Sequence, residues 1–272
     1  LSSALEAFYL DTAGGPRFCV LRRPAPGVRS LGAVLYLHPF AEEMNKSRRM
    51  AALGATALAE AGWTVLAMDL QGCGDSAGEF RDASWQQWVA DGIAGLEWLA
   101  GESAERPWLW GLRAGALLAS QVAAERGEIA GLLLWQPVLS GNQHLTQFLR
   151  LKVAGEALGE AKARGSTQAL RDELAANHVL EIAGYELGPA LASGLDAAKF
   201  VNPPAGTRVV WGEASSQPSP DLSPASRQTV TRLGGSGLRV DAFAVQGPAF
   251  WQSVEIEESP ALVEETVRRM SA

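Results

Sequence analysis

The stretch Trp108-Leu109-Trp110-Gly111-Leu112-Arg113-Ala114-Gly115-Ala116-Leu117-Leu118-Ala119 constrains the fold of this chain more than any other. It reads as a short buried strand, a turn fenced by Gly111 and Gly115, and a helix of small apolar residues. Strand, sharp turn and helix in that order form a nucleophile elbow when the pattern is Gly-x-Ser-x-Gly. Here the middle residue is Arg113, not Ser, Cys or Asp. A guanidinium is protonated at any physiological pH and has no lone pair with which to attack. The form of a reactive turn is present without its nucleophile.

The rest of the chain supplies the setting. Leu5–Leu10 and Arg17–Leu21 read as short strands around the turn Ala13-Gly14-Gly15-Pro16. Leu31–Leu37 is a continuous apolar run, as expected of a strand buried on both faces, and it ends at His38-Pro39. Asn45 is a candidate cap for a helix with Met50, Leu53, Ala57 and Leu58 on one face, ending at Gly62. Trp63–Met68 is a second buried strand, followed by Asp69 and the glycine-rich loop Gly72–Gly78. Ser84 with Gln87 fits a capping box for a helix whose inward face holds Trp85, Trp88, Val89, Gly92, Ile93 and Leu96. The elbow strand, its helix to Arg126 and a strand Ala130–Trp135 follow.

Strands that alternate with helices in this way imply a mostly parallel, twisted sheet with helices on both faces. Loops at the strand C-termini then build the site, here residues 38–46, 71–80, 112–115 and 136–141. Residues 141–202 are helical in composition, with candidate helices at Leu145–Glu160 and Thr167–Asn177. Leu145, Phe148, Leu149 and Val153 give the first an apolar side. The segment reads as a helical cap insertion, with two further crossover helices on the sheet as the alternative. Alternation resumes with Arg208–Trp211, a helix near Pro224–Leu233, a strand Leu238–Val245 and a helix Ala261–Met270. The expectation is one α/β domain, with residues 1–140 and 203–272 as core and 141–202 as cap.

Composition excludes several function classes. With 47% hydrophobic and 19% charged residues the chain is able to bury a sizeable core. Its net charge of -7, spread without long runs, argues against nucleic-acid and anionic-membrane partners. Cys19 and Cys73 make no disulfide framework and fit a reducing compartment. No run approaches the roughly 18 apolar residues of a membrane span, and no basic segment precedes an apolar one at the N-terminus. The chain begins at Leu1, so preceding residues are to be expected, and a cytoplasmic location is the expectation. There is no zinc-ligand cluster, and Gly72–Gly78 lacks the Lys-[Ser/Thr] ending of a phosphate loop. No metal and no cofactor are expected.

This order of elements around such an elbow resembles the α/β-hydrolase fold over nearly the whole chain. His38-Pro39, Met44-Asn45-Lys46, the helix to Ala61-Gly62-Trp63, Asp69 and the Gly-x-Gly-x-Ser-x-Gly of Gly72–Gly78 resemble dienelactone-hydrolase-like and related short acyl hydrolases. The stretches HPFAEEMNKSRR, DLQGCGDSAGEF, LWGLRAGALLA and GPAFWQ are more particular. They are similar to the α/β hydrolases encoded beside bacterial exosortase A systems, in the second of two such subfamilies. That resemblance implies a context of exopolysaccharide production, without specifying a reaction.

An acyl hydrolase needs a nucleophile, a base, an orienting acid and two oxyanion donors. Arg113 faces the N-terminus of the following helix, where the dipole disfavours a cation by ~0.3–1 kcal/mol. At the positive φ usual for an elbow it is also strained. It therefore calls for an anionic partner, either Glu42, Glu43 or an anionic ligand. Ser76 lies in Gly74-Asp75-Ser76-Ala77-Gly78, which fits the nucleophile pattern without an abutting strand and helix. Cys73, in the same loop, is the other weak candidate, and a half-buried thiol is the plain reading.

The base is missing where the resemblance places it, because the loop after the last strand is Gln246-Gly247-Pro248-Ala249-Phe250-Trp251 and no histidine follows His178. His144 and His178 are expected on the surface of the cap. His38 either orients the loop after its strand or acts as a base. Glu213 stands at the acid's place, or is a solvated loop carboxylate. The N–H groups of Ala114 and Phe40 are the candidate oxyanion donors, since Pro39 has none. Two such donors also bind a carboxylate or phosphate without chemistry. Lys46 and Arg48 read as a solvated helix start. Trp135, Gln136, Phe250 and Trp251 at strand ends are candidates to line a cleft for an acyl chain or sugar face.

Two functions remain open. One is a hydrolase with non-standard residues acting on an ester, thioester or glycosidic-type bond of a small or lipid-linked substrate. The other is a non-catalytic protein that binds a small or lipid-linked, anionic or acyl ligand, or a protein partner. The residues favour the second.

Overall fold

The computed structural model describes residues 4–158 and 166–272. Strands β1 (Ala4–Thr12) and β2 (Gly15–Arg23) form a hairpin longer than the sequence pattern suggests. They are joined by β3 (Gly32–Leu37), β4 (Trp63–Met68), β5 (Trp108–Leu112), β6 (Gly131–Trp135), β9 (Arg208–Ser215) and β10 (Arg239–Gln246). The eight strands run in the order β1-β2-β4-β3-β5-β6-β9-β10. Pairings from β4 through β3, β5, β6 and β9 to β10 are parallel, and β2 pairs antiparallel with β1 and β4. Every residue of β3, β5 and β6 is buried, as two-sided coverage requires.

Side-chain alternation divides the core. Leu109, Leu132 and Leu134 turn to the face covered by α2 (Trp85–Gly101) and α3 (Gly115–Arg126). Trp108, Trp110, Leu133 and Trp135 turn to the opposite face, under α1 (Glu42–Ala61) and α8 (Pro260–Met270). Helix α1 approaches the sheet at Gly54, where an added Cβ would stand 2.7 Å from both Trp110 and Trp135. Deleting one such fully buried large side chain costs roughly 3–5 kcal/mol, so this layer fixes α1 and with it the residues at its N-terminus.

Helix α1 starts one turn before the expected cap. Its N-cap is Ala41 at φ 49, without a side-chain cap, while Asn45 lies within the helix and donates to the Tyr185 hydroxyl at 2.7 Å. Glu42 and Glu43 thereby occupy the first turn, where the helix dipole favours carboxylates. At α2, Ser84 Oγ accepts from the Gln87 N–H at 3.1 Å, but the Gln87 side chain turns to Asp91 instead of closing the box.

A cap insertion lies between β6 and β9. It contains α4 (Gly141–Leu158), α5 (Thr167–Ala175), a hairpin of β7 (Leu180–Ile182) and β8 (Tyr185–Leu187), and α6 (Pro189–Ala197). The expected end of the first cap helix, at Glu160, falls outside the described residues. The hairpin was not anticipated, because three-residue strands carry no alternation to read. It turns on Ala183 and Gly184, both at positive φ, as a tight two-residue turn demands. Helix α7 (Pro224–Gly235) completes the chain between β9 and β10. Among the described residues no helix is long and apolar enough to cross a membrane.

Candidate functional site

The elbow is built as the sequence suggests. An added Cβ at Gly115 would lie 2.2 Å from the Leu37 carbonyl oxygen, and one at Gly111 would lie 2.5 Å from Ala116 Cα. Only glycine permits so close an approach of strand, helix and neighbouring strand. Between them Arg113 adopts φ 55. This left-handed conformation costs an L-residue roughly 1–2 kcal/mol. The surroundings over-determine it: the Arg113 N–H donates to Trp135 O at 3.0 Å, and its carbonyl accepts from Val138 N at 3.1 Å and Ala116 N at 3.0 Å.

The Arg113 guanidinium has an internal counter-ion. Its Nη2 donates to Glu43 Oε1 at 2.9 Å, and its Nε lies 3.1 and 3.3 Å from Glu43 Oε1 and Oε2. The two side chains are only 12% and 9% exposed. The Trp251 ring covers the guanidinium at 5.3 Å, a cation–π contact. Of the two carboxylates expected as partners, Glu43 is the one that pairs. Burial pushes the Glu43 carboxyl up, and Arg113 pulls it part-way back.

Over this pair lies a cleft of about 380 Å³ between α1, the loop after β10 and the cap helix α4. Phe40, Phe148, Leu151 and Trp251 supply apolar walls, and Glu42, Glu43, Lys46, His144, Gln147 and Gln252 supply polar groups. Phe40 packs edge-on to Phe148 at 5.0 Å and to His144 at 5.9 Å. His144 is not on the surface as expected: it is buried, with Nε2 3.8 Å from Glu43 Oε2. Burial, and then the Arg113 charge, push its pKa down to about 3, so the ring is neutral. Burial pushes the Glu42 carboxyl up, and its Oε2 is buried with no partner among the described residues.

The comparisons with known proteins agree with this architecture. A model of the Hydrolase_4 family, described as serine aminopeptidase, S33, matches residues 29–183, more than half of the chain. The chain belongs to this family. No curated protein matches it. Among solved structures it is similar to Est1E from Butyrivibrio proteoclasticus with bound ferulic acid, at TM-score 0.69 and 15% identity, over 97% of this chain and 96% of that one. It is also similar to XC6422 from Xanthomonas campestris, described as an a/b serine hydrolase without lid, at TM-score 0.57 and 17% identity, over 99% and 92% of the two chains. A third likeness is to an alpha-beta serine hydrolase homologue from Coxiella burnetii, at TM-score 0.57 and 16% identity, over 98% and 95%. Identities this low establish the α/β-hydrolase fold and no substrate.

In an α/β hydrolase the triad follows the order nucleophile, acid, histidine along the chain. Here the loop after β10 brings Trp251 to the elbow. Phe250 is buried behind it in the α1/α8 layer and does not line the cleft. Glu213 is neither a loop residue nor solvated, since β9 extends through Ser215. Its Oε1 accepts from Trp211 Nε1 at 3.2 Å and its Oε2 from Ser223 N at 2.9 Å, which ties β9 to the start of α7. Ser76 is a clamp: its hydroxyl donates to Asp69 O at 2.5 Å and accepts from Phe18 N at 2.8 Å. Burial pushes the Cys73 thiol far up, away from a nucleophilic thiolate.

His38 orients its loop. Its Nδ1 pairs with Pro39 O at 2.7 Å and its Nε2 accepts from Leu70 N at 3.2 Å, which assigns the proton to Nδ1. Burial lowers its pKa. Trp135 corrects an expectation. It does not line the cleft, because strand alternation sends it with Trp110 into the α1/α8 layer, where its Nε1 donates to Thr266 Oγ1 at 2.9 Å. Gln136, at φ 43, turns back to the sheet, where its Oε1 accepts from Ala214 N at 3.0 Å. Among the described residues, neither the Phe40 nor the Ala114 N–H donates to a protein acceptor. His178 is exposed, as expected. The described residues contain no group of three or more side chains able to hold a metal ion.

Proposed function

We propose that this α/β-hydrolase-family chain is a binding protein with a degenerate triad, holding a small ligand with an acyl body in the cleft between elbow and cap. The observation that carries this reading is the Arg113–Glu43 pair. The nucleophile's place is filled by a cation, and that cation is already neutralised at 2.9 Å. The pair argues for an uncharged acyl group, free or lipid-linked, over an anionic one. Phe40, Phe148 and Trp251 offer the apolar contact such a group needs. The exosortase A setting rests on the four sequence stretches that resemble that family. Cys19 and Cys73, buried and unpaired, support a reducing, cytoplasmic environment.

A second reading, an ester or thioester hydrolase with non-standard residues, is supported by the N–H groups of Phe40 and Ala114, the expected oxyanion donors, which meet no protein acceptor among the described residues. One calorimetric titration with ethyl butyrate, followed by assay for released butyrate, separates the two. Saturable binding that Phe148→Ala weakens, with no butyrate released, is expected. Absence of binding, or butyrate released above the buffer rate, overturns the proposal.

A further inference from the structure

The sheet face that carries α1 is left bare beside β1 and β2. Along β2, Arg17, Cys19 and Leu21 are buried toward α2, so Phe18, Val20 and Arg22 turn to the α1 side. The register sets Tyr9 of β1 opposite Phe18 and Leu5 opposite Arg22. Leu5 and Tyr9 are 61% and 56% exposed, an apolar strip that no helix among the described residues covers.

Between this strip and α1 lies a second cavity of about 250 Å³, which shares no lining residue with the cleft. Val20, Tyr36 and Ala67 line it from the sheet, and Ala52 and Ala55 from α1, where small side chains leave the space open. Its charged lining is Arg22, Arg48 and Asp69. Arg48 points to Asp69 Oδ2 at 3.5 Å and to Asn45 Oδ1 at 3.3 Å. Arg22 has no ion-pair partner among the described residues and is half-buried. The cavity therefore holds one uncompensated positive charge beside apolar walls, in a chain of net charge -7. A half-buried guanidinium without a counter-ion is a place for one anion.

We propose that this cavity binds a free medium-chain monocarboxylate, with the chain along Val20, Tyr36 and Ala52 and the carboxylate on Arg22. At about 30 Å³ per water-sized group the space takes roughly eight such groups, the bulk of a six-carbon acid, and an eight-carbon acid fills it to the mouth. The site is additional to the cleft, and neither depends on the other.

Calorimetric titration of sodium octanoate and, separately, of 1-octanol into the purified chain tests this. Octanoate is expected to bind saturably at one site. Arg22→Gln weakens octanoate about tenfold, the worth of a charge-assisted hydrogen bond, and leaves 1-octanol unchanged. Ala52→Leu, which fills the cavity, removes octanoate binding, and Phe148→Ala in the other cleft leaves octanoate binding unchanged. No saturable octanoate binding at millimolar concentration overturns the proposal. So does octanoate binding that is insensitive to Arg22→Gln and Ala52→Leu, or that is lost in Phe148→Ala.

Discussion

Replacing Glu43 with Gln keeps the shape of the side chain and removes the counter-charge of a guanidinium that is only 12% exposed. Breaking a buried pair from one side costs roughly 3–5 kcal/mol, because the remaining charge is left uncompensated. The glutamine amide oxygen still accepts one bond from Nη2, which puts Glu43→Gln at the low end, about 3 kcal/mol. For a chain of this size that lowers Tm by roughly 6–12 °C. Arg113→Gly acts differently. It removes the cation and also relieves the left-handed strain at φ 55, worth roughly 1–2 kcal/mol. Glu43, whose carboxyl burial already pushes up, then protonates instead of remaining as an isolated anion. The double variant Glu43→Gln/Arg113→Gly is therefore expected to be more stable than Glu43→Gln alone, by about 2 kcal/mol. Urea unfolding followed by circular dichroism, with unchanged m, measures all three. A cost below about 0.5 kcal/mol for Glu43→Gln, or penalties that simply add, would refute the pairing argument.

His144 in the cleft and Ser76 outside it give two further outcomes. His144 titrates near 6.5 in the unfolded chain and is pushed down to about 3 in the fold, so only the unfolded state gains its proton as pH falls. This part of the stability is present above about pH 6.5 and is lost toward pH 3, at up to ~1.4 kcal/mol per pH unit. His144→Gln should flatten the stability curve relative to wild type between pH 6 and 4, and parallel curves would contradict the assignment. Glu43 acts with the opposite sign at acid pH, which is why the comparison is with wild type and not with an absolute slope. Ser76→Ala should cost about 1–3 kcal/mol, since it orphans the Phe18 N–H. A loss of ester turnover in that variant, with stability unchanged, would instead mark Ser76 as a nucleophile.

The sheet was legible because β3, β5 and β6 are continuous apolar runs separated by helical patterns, and the glycines of the elbow have a geometric reason to be there. The need of Arg113 for an anion was legible too, from charge and helix dipole alone. Which carboxylate supplies it was not, because the sequence points to a helix start at Asn45, whereas Ala41 turns the chain at φ 49 and begins α1 at Glu42. Its place at a strand end points Trp135 to the cleft, but alternation decides otherwise. Counting alternation from Trp108 and Trp110 puts β5 tryptophans on the α1/α8 face, and the register Leu112↔Trp135 puts Trp135 there with them. A polar residue in a cap helix points to its surface, yet His144 is buried. His144, Phe148 and Leu151 recur at helical spacing and face the cleft together, while Leu145 and Leu149 serve the core. That Glu213 is buried and not a solvated loop carboxylate could not be read locally, because its acceptor role depends on Trp211 and Ser223, a pairing that no local pattern encodes.

Steady-state hydrolysis of p-nitrophenyl butyrate, measured with wild type beside Arg113→Ala and Cys73→Ala, bears most directly on the proposal that Arg113, paired with Glu43, leaves the elbow without a nucleophile. The account predicts that all three proteins are indistinguishable from buffer. Turnover well above buffer in wild type that Cys73→Ala or Arg113→Ala abolishes would contradict it.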